Sequence, residues 1–252
     1  MRTDKNSLPY KDKRVRQAMM LSINYAALKD DLYGGEAEIL AFPVTSENQR
    51  VYVSLEEMPR EVQTLFSHNL DKARELLTDA GYPEGFTASM IVPNMFGIPD
   101  FASLLKSMWS EVGIDMDIQP QELSVYNSMA YARSYDEIML AYLPVGSVAY
   151  PSCLNLGYFG SVSIGFVNDP MIDSVSQEIK KNVIINMPEA NRLYRDLVPH
   201  IVEQVHYLPL PSVYQYSLWW PWLKNYYGET PWRLFMYSWI DQDLKEEIMG
   251  GK

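Results

Sequence analysis

The sequence predicts an α/β fold in which a mainly parallel sheet is flanked by helices. Two segments, 86–92 and 114–118, place apolar side chains at every second position, as half-buried strands do. A helical pattern at 99–113 separates them. A further helix at 126–133 and a short strand at 137–141 then follow. Strands joined by helices in this order pair in parallel through right-handed crossovers.

Length and charge limit the function classes that remain open. The chain has 252 residues, which is enough for a hydrophobic core without metal or disulfide support. A net charge of −11 and an isoelectric point near 4.8 exclude nucleic acid as a partner, because phosphate binding needs a basic surface. The single cysteine, Cys153, allows no internal disulfide. The polar residues 1–10 do not resemble a signal peptide, so the signal of an exported protein is expected outside this sequence.

Several helices carry start and stop signals. Asp12 is expected to cap a helix that continues to Ile23, and Asn24 to cap a second helix that Gly34 ends. In the helix predicted at 69–81, Asp71 is the expected cap. Two further helices, each beginning with proline, are predicted at 170–182 and 188–204.

The remaining segments carry weaker patterns. Residues 37–58 and 143–164 are predicted to be long loops, which in compact domains are often binding loops. Residues 207–216 are a candidate strand, and 241–252 have the composition of a charged end.

Residues with catalytic or metal-binding potential do not form a recognisable set. His68, His200 and His206 have no second histidine or cysteine at metal-ligand spacing, and a structural role is predicted for the last two. The chain has no phosphate-binding loop and no dinucleotide-binding glycine pattern, and residues 160–165 lack the spacing of a nucleophile elbow. Asp115 and Asp117 share a strand face that is expected to be solvated. The sequence therefore predicts no catalytic residues, no metal and no cofactor.

The segment 214–239 is unusually rich in aromatic residues. Two interpretations remain open: a stacking wall for a ligand, or a surface that packs against another part of the protein. The aromatic residues between its ends are Tyr216, Trp219, Trp220, Trp222, Tyr226, Tyr227, Trp232, Phe235 and Tyr237.

Five motifs in order resemble those of the peptide-type (family 5) solute-binding proteins. PYKDKRVRQAM at 9–19 resembles the family's P-(F/Y)-x-D-x-R-V-R-Q-A-(L/M), and DKARELLTDAGY at 71–82 resembles D-x-x-K-A-x-x-L-L-x-x-A-G-(Y/W). The shorter matches are WSEVGIDM at 109–116, FVNDPMID at 166–173 and YLPLP at 207–211. Each motif alone is weak, but the five together cover nearly all of the chain.

The resemblance implies a lobe of a periplasmic-binding-protein (type II) fold and a receptor that closes two lobes on a solute. Residues 1–12 are then a lead-in from an N-terminal lobe, 13–213 the C-terminal lobe, and 214–252 a tail that returns toward the N-terminal lobe. The implied function is solute capture for an ABC importer on the periplasmic or extracellular face of the membrane. The implied partners are a small solute, the N-terminal lobe and the permease subunits.

The resemblance also suggests where a solute is contacted. In peptide-binding members, the strand matching 135–141 leads into a Trp and then an Asp that receives the peptide's α-amino group. Here Tyr142 stands at the Trp position and Val145 at the Asp position, and no acidic residue occurs in 140–168. A blocked peptide, a sugar or another uncharged solute is therefore an alternative to a peptide with a free amino terminus. The predicted cleft residues are Tyr142, Tyr150 and Tyr158, with Tyr126 behind them.

Two other functions are compatible with the same fold. A hydrolase would need a nucleophile and base pair, which the sequence does not reveal. A sensor module would use the binding lobe without transport.

Overall fold

A computed structural model describes residues 1–95, 97–141, 165–228 and 235–250. The chain divides into two compact units, Met1–Val213 and Tyr214–Lys252. The helices of the first unit are α1 (Lys13–Leu21), α2 (Tyr25–Ala27, continued by a π-helical turn at Leu28–Leu32), α3 (Arg60–Thr64), α4 (Leu70–Asp79), α5 (Ile98–Ser110), α6 (Leu123–Ala132), α7 (Pro170–Asn182) and α8 (Met187–Gln204). Its strands are β1 (Ala37–Glu38), β2 (Phe86–Pro93), β3 (Ile114–Gln121), β4 (Ile138–Met139) and β5 (Ser212–Val213).

A parallel three-stranded sheet lies at the centre of this unit, in the order β3–β2–β4. β2 and β3 pair from Phe86 and Ile114 onward, and α5 packs against both strands. Asp115 and Asp117 are exposed, as expected for the solvated face of β3. The strand and helix order read from the sequence is therefore confirmed.

Two glycines approach closely where β2 and β3 begin. Both have positive φ angles, +77° at Gly85 and +84° at Gly113. A Cβ atom on Gly85 would lie 1.9 Å from the carbonyl oxygen of Gly113. The backbone N–H of Phe86 donates to that same oxygen at 3.2 Å. Position 85 therefore requires glycine both for its conformation and for space.

Polar contacts fix helix α1 within the unit. The side chain of Asp12 accepts a hydrogen bond from the backbone N–H of Arg14, which confirms Asp12 as the cap. Arg16 is only 3% exposed, and its guanidinium donates to the carbonyl oxygens of Tyr10 at 2.7 Å and Gln204 at 2.8 and 3.1 Å. Burial lowers the pKa of Arg16 to about 10. This motif arginine therefore ties α1 to the carboxyl end of α8.

Trp109, from the third motif, also has a structural contact. Its side chain is 3% exposed, and the indole N–H donates to the carbonyl oxygen of Met19 at 3.0 Å. The bond connects α5 to α1 inside the main hydrophobic core.

The helix caps correct one detail of the sequence interpretation. The side chain of Asn24 accepts from the N–H of Ala27 at 3.0 Å, as predicted. The cap of α4 is Asn69, which accepts from the N–H of Lys72 at 2.9 Å. The prediction of Asp71 is wrong because Asp71 already lies in the first helical turn, whereas a capping residue needs an extended backbone.

The predicted strand at 207–216 is also wrong over most of its length. Only Ser212–Val213 forms a strand, which pairs antiparallel with Ala37–Glu38 in the segment that was expected to be a loop. Pro209 and Pro211 have no backbone N–H to donate to a ladder, so a longer strand cannot form. The carbonyl oxygen of Pro209 instead accepts from the Tyr25 hydroxyl at 2.9 Å.

The first twelve residues, expected to be a lead-in, lie within the first unit. Tyr10 is fully buried, and its hydroxyl donates to the carboxylate of Glu137 at 2.9 Å. The backbone N–H of Arg2 donates to the carbonyl oxygen of Glu137 at 2.8 Å. The segment therefore packs beside β4.

The second unit contains the short antiparallel strands β6 (Leu223–Lys224) and β7 (Trp239–Ile240) and the helix α9 (Gln242–Gly250). This helix lies within the segment 241–252 that has the composition of a charged end, and Asp241 caps it by accepting from the N–H of Leu244 at 3.1 Å. Trp220 and Trp222 stack with ring centroids 4.6 Å apart. Large apolar side chains that stay exposed include Tyr216, Leu218, Trp220, Tyr227, Met236, Tyr237 and Trp239.

Among the described residues, none of the helices combines the length and the hydropathy that crossing a bilayer requires.

Candidate functional site

A pocket of about 790 Å³ lies at the carboxyl edge of the parallel sheet, within the first unit. Its lining includes Pro93 from the end of β2, Leu140 and Ala141 after β4, one face of α5, and the segment 207–213. In α/β folds with parallel strands, ligands bind beyond the carboxyl ends of the strands. The pocket is therefore the candidate solute site.

Helix α5 supplies one apolar wall. Ile98, Phe101 and Leu105 line the pocket at successive turns of the helix, and Leu104 lies beside them. Leu105 is buried, whereas Leu104 remains 40% exposed. The apolar face of α5 is thus wider than the part that the sheet covers, and the uncovered strip faces the pocket.

Another wall comes from segments that are distant in the sequence. The rings of Phe42 and Tyr207 lie with centroids 5.6 Å apart, and both line the pocket. The hydrogen bond from Tyr25 to Pro209 holds the segment that follows Tyr207. Aromatic rings in such a wall offer flat apolar surface at a low cost in conformational entropy.

The predicted cleft tyrosines divide into two groups. Tyr142, Tyr150 and Tyr158 lie outside the described residues, although Tyr142 directly follows Ala141, which lines the pocket. Tyr126 is described and 6% exposed.

Tyr126 supports the end of β4. Its hydroxyl donates to the carbonyl oxygen of Leu140 at 2.8 Å, while the N–H of Leu140 donates to the carbonyl oxygen of Ile91 at 3.0 Å. Burial raises the pKa of Tyr126 to about 12, so the phenol keeps its proton at neutral pH. The described contacts of Tyr126 therefore fix the point where the chain leaves the sheet.

Charged groups are scarce in the pocket. Among the described residues that line it, Asp100 provides the one carboxylate, and there is no lysine, arginine or histidine side chain. Asp100 is exposed and lies in the first turn of α5. The pocket is therefore suited to an apolar group with at most one complementary charge.

Asp169, His200 and His206 form a separate polar cluster. One oxygen of Asp169 caps α7 by accepting from the N–H groups of Met171 and Ile172. The other oxygen lies 2.9 Å from Nε2 of His200 and 3.3 Å from Nε2 of His206. These contacts join the start of α7 to the end of α8, which is the kind of structural role predicted for both histidines.

The electrostatics of this cluster disfavour a charged His206. Burial, followed by the positive charge of Arg16, lowers the pKa of His206 to about 4. Burial disfavours ionisation of Asp169, but its hydrogen bond from His200 and that from the N–H of Ile172 lower the pKa of Asp169 overall. Nδ1 of His206 is buried without a hydrogen-bond partner among the described residues. Throughout the described part of the chain, no three His, Cys, Asp or Glu side chains are arranged to hold a metal ion.

The sequence interpretation missed most of the pocket wall. The helix predicted at 99–113 is correct, but its pattern alone does not show that Leu104 and part of the apolar face stay uncovered by the sheet. The available signal was its width, because Ile98 and Phe101 extend the apolar stripe by a further turn. Phe42 carried no local signal of its role, since only the fold brings it to the pocket.

Residues 1–161 match the sequence model of the family described as bacterial extracellular solute-binding proteins, family 5 Middle. A relative from Brucella ovis, named as an ABC transporter peptide-binding protein, is 29% identical over 154 residues. That match covers 59% of this chain and 28% of the relative. The dipeptide-binding protein of Pseudomonas aeruginosa is 23% identical over 219 residues, which are 82% of this chain and 39% of the relative. The chain thus spans well under half the length of these curated relatives.

The fold agrees with the same family. The oligopeptide-binding protein AppA of Bacillus subtilis, solved with a nonapeptide, superposes with a TM-score of 0.70 at 16% identity. The likeness covers 92% of this chain and 48% of that chain, and it establishes the periplasmic-binding-protein (type II) fold. With the family match over most of the chain and the shared fold, the protein belongs to the family 5 bacterial extracellular solute-binding proteins.

Proposed function

We propose that this chain forms one solute-contacting lobe of a binding protein that serves an ABC importer. The observation that carries the proposal is the apolar pocket at the carboxyl edge of the sheet, in a chain that belongs to a solute-binding family. The solute is a small molecule, either an oligopeptide or another solute with apolar surface. Binding requires no covalent chemistry, and the solute is released again by the reverse motion.

Capture takes place between this lobe and a second, N-terminal lobe. An apolar wall on one lobe contributes most to the free energy of binding when a partner surface removes the remaining water from the solute. A solute that contacts both lobes shifts the equilibrium toward the closed form, because it binds that form more tightly. The closed receptor then delivers the solute to the permease, on the periplasmic or extracellular face of the membrane.

Tyr142, Tyr150 and Tyr158 contact the solute in this proposal, because the segment that carries them begins next to the pocket at Ala141. Tyr126 acts behind them by holding the carbonyl oxygen of Leu140. These assignments follow the resemblance and the position of the strand end.

The test is a thermal-shift screen of the natural gene product with small peptides, blocked peptides and oligosaccharides. A solute present at about 100 times its Kd stabilises the native state by about 2.7 kcal/mol. For a protein of this size or larger we expect a rise in Tm of several degrees. No stabilisation by any member of these classes would contradict the proposal.

A pair of matched variants connects the binding to the pocket. Leu104→Gln places an amide on the pocket wall, whereas Leu123→Gln changes a leucine of similar exposure, 41% against 40%, that is not a lining residue. Leu104→Gln should reduce the rise in Tm given by the best solute, and Leu123→Gln should leave that rise unchanged. Equal rises in Tm for both variants would mean that the solute binds outside this pocket.

A further inference from the structure

A single charged side chain is found among the described residues that line the candidate pocket. Of the described lining residues, Asp100 alone has an ionisable side chain that is charged at neutral pH. The sequence of residues 141–168 contains no Asp, Glu, Lys, Arg or His. The pocket therefore combines a large apolar wall with one negative charge.

The position of Asp100 places this charge on the wall itself. Asp100 and Leu104 lie four residues apart and therefore share one face of α5, and Phe101, three residues before Leu104, lines the pocket as well. Asp100 is in the first turn and Leu104 in the second, so the carboxylate lies at the amino-terminal end of the apolar strip. A carboxylate at this end of a helix is favoured by the helix dipole.

Within the described part of the chain, Asp100 makes no ion pair. By contrast, Asp71, which also lies in the first turn of its helix, α4, pairs with Arg74 at 3.1 Å. A carboxylate beside apolar surface and without a cation of its own is complementary to a ligand that brings one. The aromatic rings of Phe42, Phe101 and Tyr207 strengthen the match, because ring faces attract organic cations.

We propose that Asp100 is a specificity-determining residue that selects solutes with an apolar body and one ammonium group. This inference rests on the proposed solute-binding function and narrows its ligand class. It also gives a peptide with a free amino terminus a carboxylate partner, a residue type that is absent from the sequence of 141–168. Two sources share this chemistry, the amino terminus of an apolar peptide and a simple apolar amine.

The experiment is isothermal titration calorimetry of the natural gene product with four probes. Trileucine and N-acetyl-trileucine compare a charged with a blocked peptide, and phenethylamine and 2-phenylethanol compare a charged with a neutral small molecule. Because Asp100 is exposed, its preference for a charged probe should be about three- to fivefold in Kd at low salt. The preference should shrink as the salt concentration rises.

Asp100→Asn and Asp71→Asn are the matched variants, since both residues lie in the first turn of a helix. Asp100→Asn should reduce the affinity for the charged probe of either pair to that for its neutral counterpart. Asp71→Asn should leave all four affinities unchanged. If Asp100→Asn weakens the binding of trileucine, the ammonium group that Asp100 selects belongs to a peptide. If it weakens the binding of phenethylamine, that group belongs to a simple amine.

Two results would overturn the inference. If trileucine and its acetylated form bind equally well and Asp100→Asn changes neither, the solute-binding function stands and the role of Asp100 is refuted. If none of the four probes binds while a solute from the thermal-shift screen does, the inference is refuted and the solute-binding function stands; if the screen also finds no solute, both are refuted.

Discussion

Replacing His206 by glutamine tests the electrostatics of the polar cluster around Asp169. In the folded protein the pKa of His206 is lowered from its usual 6.5 to about 4, first by burial and then by Arg16. The unfolded chain therefore binds a proton in a range where the folded chain does not. The stability of the protein should fall as pH decreases from the unfolded pKa to the folded pKa, and the loss is complete below about 4.

The size of the effect follows from the pKa difference. One pKa unit corresponds to about 1.36 kcal/mol, so lowering the pH from about 7 to about 5 should cost about 2 kcal/mol through His206 alone. His206→Gln keeps an amide donor near the position of Nε2 and removes the titration. The free energy of unfolding of this variant should fall less than that of the wild type over the same pH range.

The assay is urea denaturation, followed by circular dichroism, at pH 7.0 and 5.0 for both proteins. The wild-type loss of unfolding free energy minus the loss in the variant measures the contribution of His206 together with its contact to Asp169, because the other carboxylates contribute similarly to both proteins. A wild-type protein and a variant that lose the same free energy between these pH values would refute the reasoning. In that case the burial of His206 does not control its protonation.

Three further substitutions test the fold. Gly85→Ala should destabilise the protein by about 3 kcal/mol or prevent folding, because its Cβ meets the carbonyl oxygen of Gly113 at 1.9 Å, and a thermal melt of the soluble fraction will show it. Arg16→Met should cost about 2–4 kcal/mol, since buried carbonyl oxygens lose their donor, whereas Arg14→Met should cost much less because Arg14 and its ion pair with Asp12 are open to solvent; urea midpoints compare the two. Asn69→Ala should cost about 1 kcal/mol through loss of the cap of α4, and a cost near zero by urea denaturation would contradict the cap assignment.

The elements that depend on local signals were predictable from the sequence. The alternation at 86–92 and 114–118 identified β2 and β3, and the caps Asp12 and Asn24 were correct because a capping side chain bonds within its own turn. The wrong cap at Asp71 shows that sequence alone does not locate a cap to the residue, since Asn69 and Asp71 are both good capping residues and lie two positions apart. Only the backbone conformation decides between them.

The pocket was less predictable because its lining comes from distant parts of the chain. Phe42, Phe101 and Tyr207 contribute to one cavity, yet their positions in the sequence do not indicate that they meet. Asp100 resembled an ordinary first-turn acid, of the kind that many helices carry for their dipole. Its role emerges only when the uncovered face of α5 is placed at the carboxyl edge of the sheet.

The central claim is that the apolar pocket at the carboxyl edge of the sheet contacts the solute. The most direct test is a crystal structure of the natural gene product with the solute that gives the largest thermal shift. The account predicts solute atoms in van der Waals contact with Phe101 and Leu104 of α5 and with the segment 207–213. A solute bound in the protein while this wall stays free of it would contradict the account.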